Sequence, residues 1–123
     1  MPPPALSAYA RPDAPVRSPR AIEYDLFAKV TRAITAAVSR GAADRPALVR
    51  ALHDNARLWR TLAIDVADPG NVLPPPLRAQ LFYLYEFTAA HSRKVIDGSA
   101  RAEVLVEINT AVMRGLRGEG SGL

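Results

Sequence analysis

The spacing of apolar residues is the feature that most constrains how this chain folds. Between Ser18 and Gly118 they recur every three or four residues, which places them on one face of an α-helix. No stretch of useful length alternates with the period of two that a half-buried β-strand shows. The pattern therefore predicts an all-α fold. The first apolar series consists of Ile22, Leu26, Val30, Ala33, Ile34 and Ala37.

Proline and glycine divide the pattern into four helices. Ser18 and Pro19 form a typical helix start, an N-cap followed by proline at the first helical position. Gly41 and Gly98 are placed to end helices. Because the connections are short, we expect a compact bundle of about four antiparallel helices. The breaks predict one helix from Ser18 to Gly41 and a second from Asp44 to about Ala67. They predict a third from Pro75 or Pro76 to Gly98, and a fourth that starts after Ser99 and ends before Gly118.

The two ends of the chain are predicted to lie outside this bundle. Residues 1–17 are rich in proline and poor in apolar side chains, which predicts a flexible, disordered N-terminal arm. Residues 118–123 predict a flexible tail. A single helical domain then spans residues 18–117, and a chain of 123 residues buries enough surface to fold without a metal ion or a disulfide.

The composition narrows the classes of function. The chain has no cysteine, which excludes disulfides and thiolate chemistry and fits a reducing cytoplasm. Its apolar runs are far shorter than the ~20 residues of a membrane span, and its start lacks the apolar core of a secretory signal. The net charge is +4, but the arginines are scattered and most helices mix both signs. We expect a cytoplasmic protein.

Two asparagines occupy positions where the helical pattern calls for apolar residues. Asn55 falls within the stripe that holds Trp59 on the second helix, and Asn109 falls between Leu105 and Val112 on the fourth. A buried amide without a partner costs about 1–3 kcal/mol. We therefore expect both side chains to find internal hydrogen bonds, either with each other or with loop backbone near residues 72–76, while Trp59 fills the core.

The segment between the second and third helices is predicted to be a loop whose shape is held by side-chain contacts. Asp65 and Asp68 lie near the end of the second helix, where a negative charge opposes the helix dipole, so a specific partner is expected for each. Candidates are Arg78 across the loop, and an Asx-type turn that joins Asp68 to Asn71. Loop bracing is favoured over acid–base chemistry.

No pattern typical of an enzyme is present. The two histidines, His53 and His91, do not form a metal-binding pair, and no glycine-rich phosphate loop with its lysine occurs. The serines lack evident histidine and aspartate partners. We therefore expect no catalytic activity, no metal and no cofactor, which leaves a protein-binding module or a nucleic-acid-binding regulator.

Three segments together resemble a known family. They are IEYDLFAKVTRAI, ALHDNARLWRTLAIDVADPGNVLPPPLRAQL and VLVEINTAVMRGL, which cover roughly residues 20 to 116. The combination is similar to the FlaF family of flagellar biosynthesis regulators of alphaproteobacteria. The residues that carry the resemblance and hold the shape of the bundle are Asn55, Trp59, Asp65, Asn71, Arg78 and Asn109.

The resemblance implies a regulator of flagellin synthesis or export whose partners are flagellin and the regulator FlbT. A role as a secretion chaperone or adaptor is consistent with this resemblance. Flagellin's amphipathic terminal helices polymerise, and a small bundle can cover one of them in a groove. The third helix carries more apolar surface than one stripe needs, as does the first. The predicted partner contacts are Phe27, Ile34, Val38, Tyr83 and Phe87.

Direct control of flagellin mRNA is the alternative. Phosphate contacts would come from Arg50, Arg57, Arg60 and Arg93. Asp54 and Asp65 interrupt that basic surface, and direct nucleic-acid binding is therefore the less favoured hypothesis.

Overall fold

The computed structural model of the protein describes residues 19–117, and within them the side chains of residues 24–115. The predicted all-α fold is confirmed, since the described residues form four α-helices and no strand. The predicted N-terminal arm, 1–17, and the tail, 118–123, lie outside the described residues. The elements are α1 (Pro19–Arg40), a 3-10 turn (Gly41–Asp44), α2 (Arg45–Ala67), α3 (Pro75–Ile96) and α4 (Glu103–Arg117).

The turn between α1 and α2 follows from glycine and a capping aspartate. Gly41 has φ = 68°, a left-handed conformation that glycine adopts without steric cost. The carboxylate of Asp44 accepts a hydrogen bond from the backbone N–H of Ala47 at 3.2 Å and so caps α2. The same carboxylate pairs with Arg40 at 3.0 Å. The chain therefore reverses within four residues and brings α1 and α2 side by side.

Helix α3 ends in a Schellman motif centred on Gly98. Gly98 has φ = 88°, its N–H donates to the carbonyl of Val95 at 3.1 Å, and the N–H of Ser99 donates to the carbonyl of Lys94 at 2.9 Å. The hydroxyl and the backbone N–H of Ser99 both donate to the carboxylate of Asp97, which lowers the pKa of that carboxyl below its ordinary value. Since Ser99 is held in this turn, α4 begins only at Glu103.

The core consists of two clusters stacked along the bundle. One cluster lies at the end of the 3-10 turn and includes Ile34, Leu52 and Leu105. The other surrounds Trp59, whose ring meets that of Phe27 edge-on with centroids 5.5 Å apart. Each cluster draws residues from α1, α2 and α4, and the first also includes the buried Val95 of α3. Helix α1 runs antiparallel to both α2 and α4. These three helices form the closed part of the bundle.

Helix α3 is held mainly by α2. The backbones of α3 and α4 approach each other far less than those of the other neighbouring pairs, and within the described residues the backbones of α1 and α3 do not come close to each other. The bundle is therefore a ring with three closed contacts and one open side. We call this open side, between Pro75–Ile96 and Glu103–Arg117, the α3–α4 seam.

The structure corrects the buried face predicted for α1. Phe27 and Ile34, predicted as partner contacts, are 1% and 0% exposed and belong to the core, so the prediction that they form a docking surface is wrong. Leu26, predicted for the core, is 44% exposed. The face is rotated because it includes a polar residue, Thr31, one turn after Phe27.

We expect Gly98→Ala to destabilise the protein by about 1 kcal/mol, because a Cβ at this left-handed position is strained even where space is open. Chemical denaturation measures the free energy of unfolding. Gly70→Ala is the matched control, since Gly70 has no left-handed φ and the new Cβ meets only a side-chain oxygen of Asp68 at 3.7 Å. Equal losses in the two variants would show that the conformation of Gly98 is unimportant.

Candidate partner-binding surface

One asparagine joins three helices through a buried hydrogen-bond network. The amide nitrogen of Asn109 donates to the side-chain oxygen of Asn55 at 2.7 Å and to the hydroxyl of Thr31 at 3.1 Å. Its oxygen accepts from the indole N–H of Trp59 at 2.9 Å. Both asparagines and the tryptophan are fully buried. The two asparagines were expected to bond either to each other or to the loop backbone. In the structure they bond to each other.

Thr31 is the member of this network that the sequence reasoning missed. Its hydroxyl accepts from Asn109 and donates to the carbonyl of Phe27, one turn earlier, at 2.6 Å. The available signal was its position between Phe27 and Ile34 at helical spacing, the same signal that identified the two asparagines. The nitrogen of Asn55 has no partner among the described groups, and neither has the buried hydroxyl of Ser92 on α3.

Asn71 and Asp68 hold the loop after α2 in shape. The amide nitrogen of Asn71 donates to the backbone carbonyl of Asp65 at 3.1 Å and to its carboxylate at 3.3 Å. The oxygen of Asn71 accepts from the N–H of Leu73 at 2.9 Å. The carboxylate of Asp68 accepts from the N–H of Gly70 at 3.1 Å, which is the Asx-type turn, although Asn71 itself is joined to Asp68 through the backbone.

Arg78 braces this loop through carbonyl groups rather than carboxylates. Its side chain donates from Nε to the carbonyl of Val66 at 2.9 Å and from Nη2 to the carbonyl of Asp68 at 3.1 Å. The last carbonyls of a helix lack intrahelical partners and carry the negative end of its dipole, so a guanidinium suits them. The expected ion pair with Asp65 or Asp68 is replaced by this cap.

The two aromatic residues predicted as partner contacts on α3 are exposed. Tyr83 is 63% and Phe87 39% exposed. Phe87 stacks on His91, with ring centroids 5.5 Å apart, and His91 Nε2 lies 2.8 Å from the carbonyl of Arg101 at the start of α4. A carbonyl only accepts, so Nε2 carries the proton. This contact places Phe87 on the side of α3 that faces α4.

Half-buried apolar residues also lie on α3 and on α4. Leu84 on α3 and Ile108 on α4 are half-buried and pack against the cluster of Phe27, Trp59 and Val112. Val104, one turn before Ile108, is also half-buried. Val38, the remaining predicted contact, is half-buried against the Ile34 cluster on another side of the bundle. Of the five predicted contacts, only Tyr83 and Phe87 are exposed.

A profile of the family described as Flagellar protein FlaF matches residues 5–116. The chain belongs to the FlaF family. The FlaF match spans all four helices and the network, the loop and the seam just described. It also extends to residues 5–18, ahead of α1. No curated protein and no solved structure gives a match to this FlaF chain.

The arginines considered for RNA binding lie on two helices of the FlaF domain. Arg50, Arg57 and Arg60 are exposed on α2, and Arg93 is exposed on α3. Within residues 24–115 none of the four forms an ion pair. The carboxylates of Asp54 and Asp65 are exposed on α2 as well, so this side of α2 carries both signs of charge.

Two further findings concern the described part of the FlaF chain. Residues 19–117 include no helix that is both long and apolar enough to cross a bilayer. The same part of the chain contains no group of three or more histidine and carboxylate side chains placed to hold a metal ion.

We expect Asn109→Leu to lower the free energy of unfolding by about 2–4 kcal/mol, because it leaves the indole N–H of Trp59 and the oxygen of Asn55 buried without partners. Thr110→Val is the matched control. It removes a hydroxyl that is only half-buried and bonds locally to the carbonyl of Val106, so we expect a loss below about 1 kcal/mol. Comparable losses in chemical denaturation would refute the central role of the network.

Proposed function

We propose that this protein is a cytoplasmic regulator of flagellar biosynthesis that binds flagellin as a secretion chaperone or adaptor, without catalysing a reaction. Membership of the FlaF family supports a flagellar role. The regulator FlbT is a further candidate partner, by the same family resemblance.

The observation that carries the proposal is the exposed aromatic rim of the α3–α4 seam. Tyr83 and Phe87 lie four residues apart, so they form one ridge along α3. We infer a groove beside that ridge, because the backbones of α3 and α4 stand further apart than those of the other neighbouring pairs and these helices carry the half-buried apolar Leu84 and Ile108. An amphipathic helix binds such a groove with anchors spaced by three, four or seven residues.

Flagellin fits this groove by its chemistry. Its terminal segments are amphipathic helices that polymerise through their apolar faces, so a monomer awaiting export gains from a cover on those faces. Exposed aromatic side chains are frequent anchors of binding energy. The seam therefore replaces the broader contact set expected from the sequence, which also included the buried Phe27 and Ile34.

We expect Phe87→Asp to weaken flagellin binding by about thirtyfold, because a charge on the ridge opposes burial of an apolar helix face. Calorimetry with purified flagellin of the same bacterium measures the affinity. Circular dichroism should show an unchanged helix content and melting transition, since Phe87 lies outside the two core clusters.

Ile64→Asp is the matched control for that variant. Ile64 is 68% exposed, and it lies on α2, which does not line the seam. The charge introduced is the same, so Ile64→Asp should leave the affinity unchanged. Equal weakening by both substitutions, or none by Phe87→Asp, would contradict binding at the seam.

The mRNA hypothesis makes a different prediction about salt. If Arg50, Arg57, Arg60 and Arg93 contact phosphates, affinity falls steeply as salt rises, with a slope set by the number of contacts. We instead expect the flagellin complex to persist at high salt, and its affinity to survive replacement of all four arginines by glutamine. A stoichiometric complex that appears only with RNA at low salt would favour the alternative.

A further inference from the structure

The solvent-exposed side of α3 carries charges of both signs beside its aromatic residues. We call this surface the outer face of α3; it consists of the half-buried Ala90 and the exposed Tyr83, Glu86, Phe87, Arg93 and Lys94. Neither Glu86 nor Arg93 forms an ion pair with a side chain of residues 24–115. Flagellin binding at Tyr83 and Phe87 leaves these charges without a role.

The outer face has the residue spacing of a helix–helix contact. Tyr83, Glu86, Ala90 and Arg93 follow one another at intervals of three, four and three residues. At about 100° per residue these positions fall within about 80° of one another, so they form one line along α3. Two helices that pack side by side make contact through residues at such intervals.

The charges of the outer face are complementary to those of a second copy in one orientation. Glu86 lies about 6 Å along the helix axis on one side of Ala90, and Lys94 lies about 6 Å on the other side. In an antiparallel pair with a two-fold axis at Ala90, Glu86 of each copy is therefore opposite Lys94 of the other, with Arg93 one residue away. A parallel pair would place Glu86 against Glu86, which is repulsive.

The side chains near this axis also permit close packing. Ala90 is small, so two helices that meet there can approach to the short end of the ~8–10 Å range of helix pairs. Phe87 of one copy lies opposite Arg93 of the other, and a guanidinium over an aromatic ring makes a favourable cation–π contact. The two-fold axis makes each of these contacts occur twice, so a single face supplies both halves of the interface.

We propose that a second copy of this chain binds to the outer face of α3 and forms an antiparallel dimer with Ala90 at its two-fold axis. About six side chains of each copy take part, against the ~20–30 residues a side of a standard interface, so the dimer is weak and exchanges with monomer. The contact covers Tyr83 and Phe87 and excludes flagellin from them. The dimer stands on the chemistry of α3, whereas this exclusion rests on the proposed function.

Charge reversal tests the pairing, with sedimentation of the full-length protein between about 1 µM and 1 mM as the measurement. We expect Glu86→Lys to weaken self-association about tenfold or more, because the new charge faces Lys94 and Arg93 of the other copy. Arg93→Glu combined with Lys94→Glu should weaken it similarly. An equimolar mixture of the two variants should restore association, since each contact again joins opposite charges. A monomeric wild type, or a mixture that fails to associate, would overturn the proposal.

Lys29→Glu combined with Arg32→Glu is the matched control for the acidic double variant. Both residues are exposed on α1, whose backbone does not come close to that of α3 within the described residues. The net charge changes by the same amount, so this control should associate as the wild type does. Circular dichroism should show that every variant remains folded, because all the substituted positions are exposed. Equal weakening by the two double variants would contradict the outer face as the interface.

Single cysteines test the orientation, since the chain has none of its own. Ala90→Cys places two thiols beside the axis, so mild oxidation should link the two copies. Ala79→Cys is the control, because Ala79 is exposed on α3 about 16 Å from the axis, which places its two copies about 33 Å apart. Linkage at Ala79 equal to that at Ala90, or none at Ala90, would overturn the antiparallel arrangement.

The linked Ala90→Cys dimer separates the dimer from the proposed function. We expect it to bind flagellin about tenfold or more weakly than the same chain after reduction, at concentrations where the reduced chain is monomeric. A dimer whose reduced chain binds no flagellin would refute the proposed function and retain the dimer. Flagellin binding by a protein that is monomeric throughout would refute the dimer alone. Equal binding by the linked and reduced chains would refute the exclusion.

Discussion

The hydrogen bonds of Asn109 are the interaction on which the rest of the structure depends. One amide donates to Thr31 on α1 and to Asn55 on α2, and it accepts from Trp59 on α2. These bonds are directional, whereas apolar packing tolerates rotation and sliding. A change of register by one residue in α1, α2 or α4 would bury unpaired polar groups, each at a cost of about 1–3 kcal/mol. The network therefore selects one arrangement of these three helices.

Helix α3 takes no part in that network, and its attachment differs accordingly. Polar contacts tie it near its ends: Arg78 to carbonyls of the preceding helix and loop, Arg45 to the carbonyl of Ile96, and His91 to the carbonyl of Arg101. Between these ties it packs mainly on α2, and its buried residues include the polar Thr88 and Ser92. Because the register of α4 is set by the network and not by α3, the two helices are free to stand apart. The seam is a consequence of that separation.

The sequence was sufficient where local chemistry decides the structure. Capping residues and glycines located the helices, and the helical spacing of Asn55 and Asn109 implied buried amides with internal partners. For α1 the apolar pattern predicted the wrong buried face. Because Thr31 is polar, the apolar series through Leu26 and Val30 seemed more continuous than the true face through Phe27, Thr31 and Ile34. The seam could not be predicted, since the distance between α3 and α4 depends on packing among all four helices and on no local pattern.

The division between scaffold and surface explains why the residues most typical of the family are not the proposed contacts. Asn55, Trp59, Asn71 and Arg78 each satisfy a group that folding would otherwise leave buried or unpaired. Tyr83 and Phe87 have no such role, because folding leaves much of both side chains in water. Apolar surface of this kind gains free energy only when something covers it. A partner's helix laid against these two side chains would supply such a cover.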